Sequence, residues 1–314
     1  MYSTFKTLPQ LADRLFLTDG GLETTLIFHD GIDLPHFAAF DLMRTQEGRR
    51  ALHAYYLRYL EIAQANGTGF ILESPTWRAS PDWGALLGYS EAALAESNRE
   101  SIALMHELKS AYATDLMPVV VSGCIGPRGD GYVADAIMST DAARDYHAFQ
   151  ANIFAEACAD MVTAITMTNT PEAIGIARAA EAAGLPVALS FTLETDGCLP
   201  TGQSLAEAIN AVDDATGGFP AYYMINCAHP DHFAAVLKTS GDWTRRVRGL
   251  RTNASRMSHA ELNEAPELDD GNPDELGAQN AALLRVLPAL TVLGGCCGTD
   301  HRHVGAMCAH ALAA

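Results

Sequence analysis

A chain of 314 residues, 48% of them hydrophobic, has ample material for a core, and its length suits one α/β barrel or two ordinary domains. Thirty-eight acidic against 20 basic residues leave a net charge of −18, which argues against nucleic acid and anionic membrane as partners. No apolar run approaches the roughly 20 residues of a membrane span. The opening "MYSTFKTLPQ" lacks the basic-then-apolar signature of a secretory signal, so the expected compartment is the cytoplasm.

Short apolar, β-rich runs alternate with longer helical patterns. In chain order the runs are "RLFLTDG" from Arg14, "GFILES" from Gly69, "MPVVVSG" from Met117 and "MVTAITM" from Met161. They continue with "LPVALSF" from Leu185, "AYYMIN" from Ala221, "RVRGLR" from Arg246 and "LTVLGG" from Leu290. Between them, stretches such as "EGRRALHAYYLRYLEIAQANG" and "AARDYHAFQANIFAEACAD" repeat apolar residues at three and four spacing, as an amphipathic helix does. "AIGIARAAEAAGLP" ends in glycine then proline, a helix stop before a strand.

Eight strand–helix alternations with near-continuous apolar strands predict a parallel sheet covered by helices, and eight is the closing number of a (β/α)8 TIM barrel. A doubly wound open sheet is the second choice. It is disfavoured because "DGGLETTL" after the first strand is not a dinucleotide-binding glycine loop. The expected architecture is a single domain over residues 1–314. Residues 253–277, an acidic stretch with two prolines after the seventh strand, read as a long loop over the mouth where substrates enter.

The seven cysteines are an odd number in a chain too large to need disulfide staples. In a reducing compartment, clustered cysteines point to metal or catalysis more than to bridges. Barrel chemistry sits at the C-terminal ends of the strands. "MINCAHP" puts Cys227 at the tip of strand six, and "VLGGCCGT" puts Cys296 and Cys297 at the tip of strand eight. Adjacent strand residues face opposite ways, so the pair can meet one point only if the backbone leaves the strand there. Gly294, Gly295 and Gly298 permit that path. A vicinal disulfide, ordinary buried cysteines and a three-thiolate zinc site are the alternatives, of which the vicinal disulfide leaves Cys227 unexplained. His229 is a conceivable fourth ligand, which would make the site structural. Zinc with three thiolates is a poor activator of water. It suits a fourth thiolate from a substrate, bound near neutral pH and still nucleophilic. The chemistry predicted is alkylation of a substrate thiol.

These residues resemble the homocysteine S-methyltransferase family over nearly the whole chain. "LTDGGLETTL", "SGCIGPRGD", "LPVALSFTLETDGCLPTGQSLAEAI", "INCAHP" and "GGCCGT" carry the resemblance, and the last two are specific together. It implies a (β/α)8 barrel, Zn2+ held by Cys227, Cys296 and Cys297, and methyl transfer from a small onium donor to homocysteine, giving methionine. The implied substrate-binding positions are Asp19 with the adjoining Gly20 for the amino group, and Glu73 for the donor pocket. Asn226 is placed to order the metal loop. Thr166 stands where the family usually carries a second carboxylate for the amino group. The aromatics Phe28, Trp77 and Trp83 are candidates for an onium methyl group. The expected partners are a small-molecule thiol and a methyl donor, with no nucleic acid and no membrane; the sequence leaves the oligomeric state open. The alternatives are the same transfer to a different thiol acceptor, a non-catalytic thiol- and zinc-binding protein, or a hydrolase using zinc-bound water.

Overall fold

The computed structural model describes residues 7–135, 137–238 and 241–314. The N-terminal stretch inspected for a targeting signal lies in part outside them. Eight parallel strands close in sequence order: β1 (Phe16–Leu17), β2 (Gly69–Glu73), β3 (Val119–Ile125), β4 (Met161–Met167), β5 (Val187–Thr192), β6 (Tyr222–Asn226), β7 (Val247–Thr252) and β8 (Val292–Gly295), with β1 bonded to both β2 and β8. All eight apolar runs contain a strand. The principal helices that follow them are α1 (Gln46–Asn66), α2 (Glu91–Tyr112), α3 (Thr140–Glu156), α4 (Thr170–Ala183), α5 (Leu205–Thr216), α6 (Pro230–Leu237), α7 (Pro273–Leu284) and α8 (His301–Ala313). This is the (β/α)8 barrel expected. Among the described residues no helix is long and apolar enough to cross a membrane.

Local chemistry sets the helix ends. Thr45 caps α1 by accepting from the Gly48 amide at 3.0 Å. Asn169 caps α4 by accepting from the Glu172 amide, and Gly184 stops that helix in the left-handed conformation at φ 74°.

The barrel interior changes character along its axis. At the base, inward residues Phe16, Ile71, Val120, Met161, Ala188, Tyr222, Met224 and Val292 form one buried apolar cluster that includes Leu8 from the N-terminal segment. A side chain on Gly249 would meet Met224 at 2.6 Å, so that strand position stays bare. Two and four residues further along the strands, the inward positions turn polar: Glu73, Ser122, Thr163, Ser190, Asn226 and Arg251, all buried. The polar layer pairs internally, with Ser122 and Thr163 hydroxyls 2.7 Å apart and the Ser190 hydroxyl donating to Asn226 Oδ1 at 2.7 Å. Residues 253–277 carry a short helix, His259–Glu264, started by a reciprocal Ser258–Glu261 cap, and the first turn of α7.

Candidate metal centre

At the end of β8 the chain leaves the sheet. Thr299 N donates to Cys296 O at 3.1 Å, so residues 296–299 form a tight turn. Gly298 makes that turn with φ 75°, and a side chain on it would strike the Asp269 carbonyl at 2.6 Å. Gly295 is needed for close approach, since a Cβ would sit on the Thr299 hydroxyl. Hydrogen bonds from Cys296 N to Thr252 O (2.9 Å) and from Ala254 N to Cys297 O (3.2 Å) pin the turn to the end of β7. Cys227, just past β6, has φ 51°, a conformation costly for a residue with a side chain. Both departures from strand geometry aim sulfur at one point.

The three sulfurs lie within 4.8 Å of one another. Cys227 and Cys296 are joined as a disulfide, not the vicinal pair weighed from the sequence, and Cys297 Sγ lies 3.8 Å from Cys227 Sγ. Tyr132 brings its hydroxyl to 3.2 Å from Cys297 Sγ and 3.4 Å from Cys227 Sγ. Burial holds that phenol well above its ordinary pKa, so it stays protonated and donates to sulfur. Burial also pushes the Cys297 thiol up, while the Tyr132 hydrogen bond pulls it down. Asn226 Nδ2 is 3.9 Å from Cys296 Sγ, its Oδ1 accepts from Thr166 N at 3.0 Å, and Nδ2 reaches Thr166 Oγ1 at 3.3 Å. Thr166 itself has φ 65°.

Beside the sulfurs lies a buried ion triad. Arg251 Nη2 is 2.7 Å from Asp19 Oδ1, and Nη1 pairs with Glu73 Oε2. The same guanidinium donates from Nε to Gly295 O at 3.1 Å and from Nη2 to Gly20 O at 3.2 Å. Tyr55 donates to Asp19 Oδ2 at 3.0 Å and to Gly20 O at 3.1 Å. Burial alone would lower the Arg251 pKa, but the facing Asp19 and Glu73 carboxylates hold it above its ordinary value, so the cation is permanent. Asp19, Gly20 and Glu73 are thus brought together near the cysteines, with the charge of both acids met from within the chain. Glu23, next along in the first-strand motif, is pushed up to about 7 by burial.

Neither downstream acid stands in for a carboxylate at Thr166. Glu172 accepts from His147 (2.9 Å), from Arg128 N (2.8 Å) and from Asn169 (3.3 Å). Glu194 lies 3.3 Å from His259 Nδ1; the other ring nitrogen of His259 reaches Cys227 O at 2.7 Å, and the ring packs 4.4 Å from that of Tyr132. His229 caps α6, its Nδ1 accepting from Asp231 N at 3.2 Å, and is outside the sulfur cluster. Phe28 is exposed. Trp77 and Trp83 both stack on Arg78.

Sequence reasoning passed over Tyr132, Arg251, Arg78 and His259. Arg251 left a signal, since a charged residue inside an apolar parallel strand needs a buried partner. Tyr132 left none, because it lies in an aperiodic loop after an Asp–Gly turn.

Residues 16–311 match the family model described as homocysteine S-methyltransferase. A selenocysteine Se-methyltransferase of Brassica oleracea var. italica is 25% identical over 308 residues, covering 90% of this chain and 85% of that protein. The homocysteine methyltransferase MmuM of Escherichia coli in its oxidized form aligns with a TM-score of 0.73 at 23% identity, covering 95% of this chain and 96% of that one. Its metallated form aligns at 0.71 and 21% identity, with the same coverage. At these identities the two structures show the shared fold.

Proposed function

The chain belongs to the homocysteine S-methyltransferase family and is an S-methyltransferase, and on that premise we propose that it moves a methyl group from a small onium donor, such as S-methylmethionine or betaine, to the thiol of homocysteine, giving methionine. Cys227, Cys296 and Cys297 would hold zinc. The observation that carries this reading is the three-sulfur cluster itself. Zinc–sulfur bonds of about 2.3 Å place two tetrahedral ligands about 3.8 Å apart, and Cys227 and Cys297 are separated by 3.8 Å. The donor set includes no histidine or carboxylate among the described residues, which disfavours hydrolysis through activated water. Holding the metal requires that the Cys227–Cys296 disulfide be reduced to two thiols.

When bound, zinc supplies a coordination position at which a substrate thiol is deprotonated near neutral pH. The chain's residues do the rest. Asn226 fixes the β6 tip by tying Thr166 and Ser190 to the residue before Cys227. Tyr132 donates to the ligand sulfurs and limits charge build-up there. Arg251 holds the β1, β2 and β8 ends in register beneath the site. The acceptor sulfur forms the new S–C bond as the onium bond to methyl breaks, and the donor leaves neutral.

The test is turnover by reduced, zinc-loaded protein with a panel of thiols, selenocysteine and onium donors. Methylated acceptor is the expected product. Binding of zinc and thiol without turnover on any donor would leave a non-catalytic binding protein.

A further inference from the structure

Arg78 is 6% exposed, and among the described residues no carboxylate lies within ion-pair distance of it, although the charges of Asp130 and Glu23 act on it from further off. Its guanidinium carbon lies 4.0 Å from the ring centroid of Trp77 and 3.8 Å from that of Trp83, so an indole covers each stacking partner's side of the cation. Nη1 donates to Gly129 O at 2.8 Å, while among the described residues Nε is buried with no acceptor and Nη2 makes no hydrogen bond. Asp130, the nearest acid on that loop, spends Oδ1 on the amides of Tyr132 (2.7 Å) and Val133 (3.1 Å). Among the described residues neither Asp130 nor Glu23 pairs with the cation directly, and a buried guanidinium nitrogen left without an acceptor is costly.

The position tells where the missing anion comes from. Arg78 anchors the loop that carries Tyr132, whose hydroxyl touches two of the three sulfurs. A Cβ on Gly131 would lie 3.0 Å from the Trp77 ring and 3.2 Å from the Thr166 methyl, so the Trp77 side of the stack abuts the β4 tip beside the cluster. The planar anion that meets a guanidinium edge-on, at nitrogens the indole faces leave free, is a carboxylate. We propose that Arg78 seats the carboxylate of a substrate bound beside the sulfur cluster. The two substrates that both carry this chemistry are the thiol acceptor and the onium donor. The assignment deepens the methyl-transfer reading and rests on it for the word substrate.

The experiment measures dissociation constants by calorimetry on reduced, zinc-loaded protein: wild type, Arg78→Met and Arg78→Lys. Two matched pairs are the probes. One is 4-mercaptobutanoate against propanethiol; the other is a sulfonium carboxylate against trimethylsulfonium. In wild type, the carboxylate-bearing member of one pair should bind about ten- to a hundredfold tighter than its partner. Arg78→Met should abolish that difference without moving the carboxylate-free member, and Arg78→Lys should retain part of it. The pair that responds identifies the substrate seated. No carboxylate preference in either pair in wild type overturns the assignment, and this arm needs no variant to fold. Equal losses for both members in Arg78→Met also overturn it, because a merely structural arginine would act so. Carboxylate-dependent binding without methyl transfer to any acceptor would instead overturn the transfer reading and leave Arg78 assigned.

Discussion

At the residue scale, the cysteine cluster and the ion triad make different demands on the chain. Replacing Cys296 or Cys297 by Ser removes one of three thiolates from a site on turns outside the core. Each variant should therefore lose most zinc and all transfer activity, while its reduced, metal-free form melts near reduced, metal-free wild type. Metal analysis that finds one zinc per chain in both would overturn the three-thiolate site. Zinc uptake should also need a reductant, since the disulfide occupies two of the three sulfurs; equal uptake with and without one would count against the same ligand set. Arg251 is a structural demand. Arg251→Met leaves Asp19 and Glu73 facing each other unpaired at 4% exposure each. A loss of about 3–5 kcal/mol is expected from denaturant unfolding, and Glu73→Gln in the same chain should recover part of it. Thr166 bears on the acceptor. Thr166→Glu should improve homocysteine binding about ten- to a hundredfold through one charge-assisted hydrogen bond. It should not help 4-mercaptobutanoate, which offers no ammonium; equal gains for both thiols would sink the idea.

At the scale of elements, α8 shows how a helix start is tied to the site. Asp300 caps it, accepting from Arg302 N at 2.8 Å, with Arg302 as ion partner and His303 Nδ1 at 3.1 Å, and this cap lies only three residues past Cys297. Asp300→Ala should cost about 0.5–2 kcal/mol. The hydrogen bonds from His303 and Arg302 outweigh burial and hold the Asp300 carboxyl well below its ordinary value. A depressed acid contributes stability above its unfolded pKa near 3.8 and loses it as pH falls toward the folded value. Wild type should therefore weaken below pH 4 more steeply than Asp300→Asn, which keeps a cap but cannot titrate; parallel pH–stability curves would refute this. The eight strands were legible because apolar runs punctuated by glycine and proline have few other uses, and Gly184 announced the end of α4 directly. The cysteines at the strand tips were legible because the barrel dictates which strand end carries chemistry. The conformations of Thr166 and Cys227 were not: nothing local asks a threonine or a cysteine to take a positive φ, and it is the surrounding hydrogen bonds that impose it. The Arg251 triad joins β7 to β1 and β2 across the bore, and long-range pairing of that kind leaves no periodicity to read.

At the scale of the whole molecule, the net charge of −18 acts on cations arriving from solution. A cationic methyl donor should be steered toward the barrel, so its kcat/KM should fall as ionic strength rises, whereas a neutral thiol should show little change. Identical salt dependence for both would mean that the field is not felt at the mouth. The interior grading has a further consequence for traffic. The base is filled by packed apolar side chains, and the Arg251 ion triad spans the bore above them, so the sulfur cluster can be approached only from the C-terminal ends of the strands. Two reactants enter and two products leave by that end, and whichever lies deeper cannot depart until the shallower one has gone. Excess of the outer reactant should then trap the inner product, and substrate inhibition at high concentration of one reactant only is the expected outcome in steady-state kinetics.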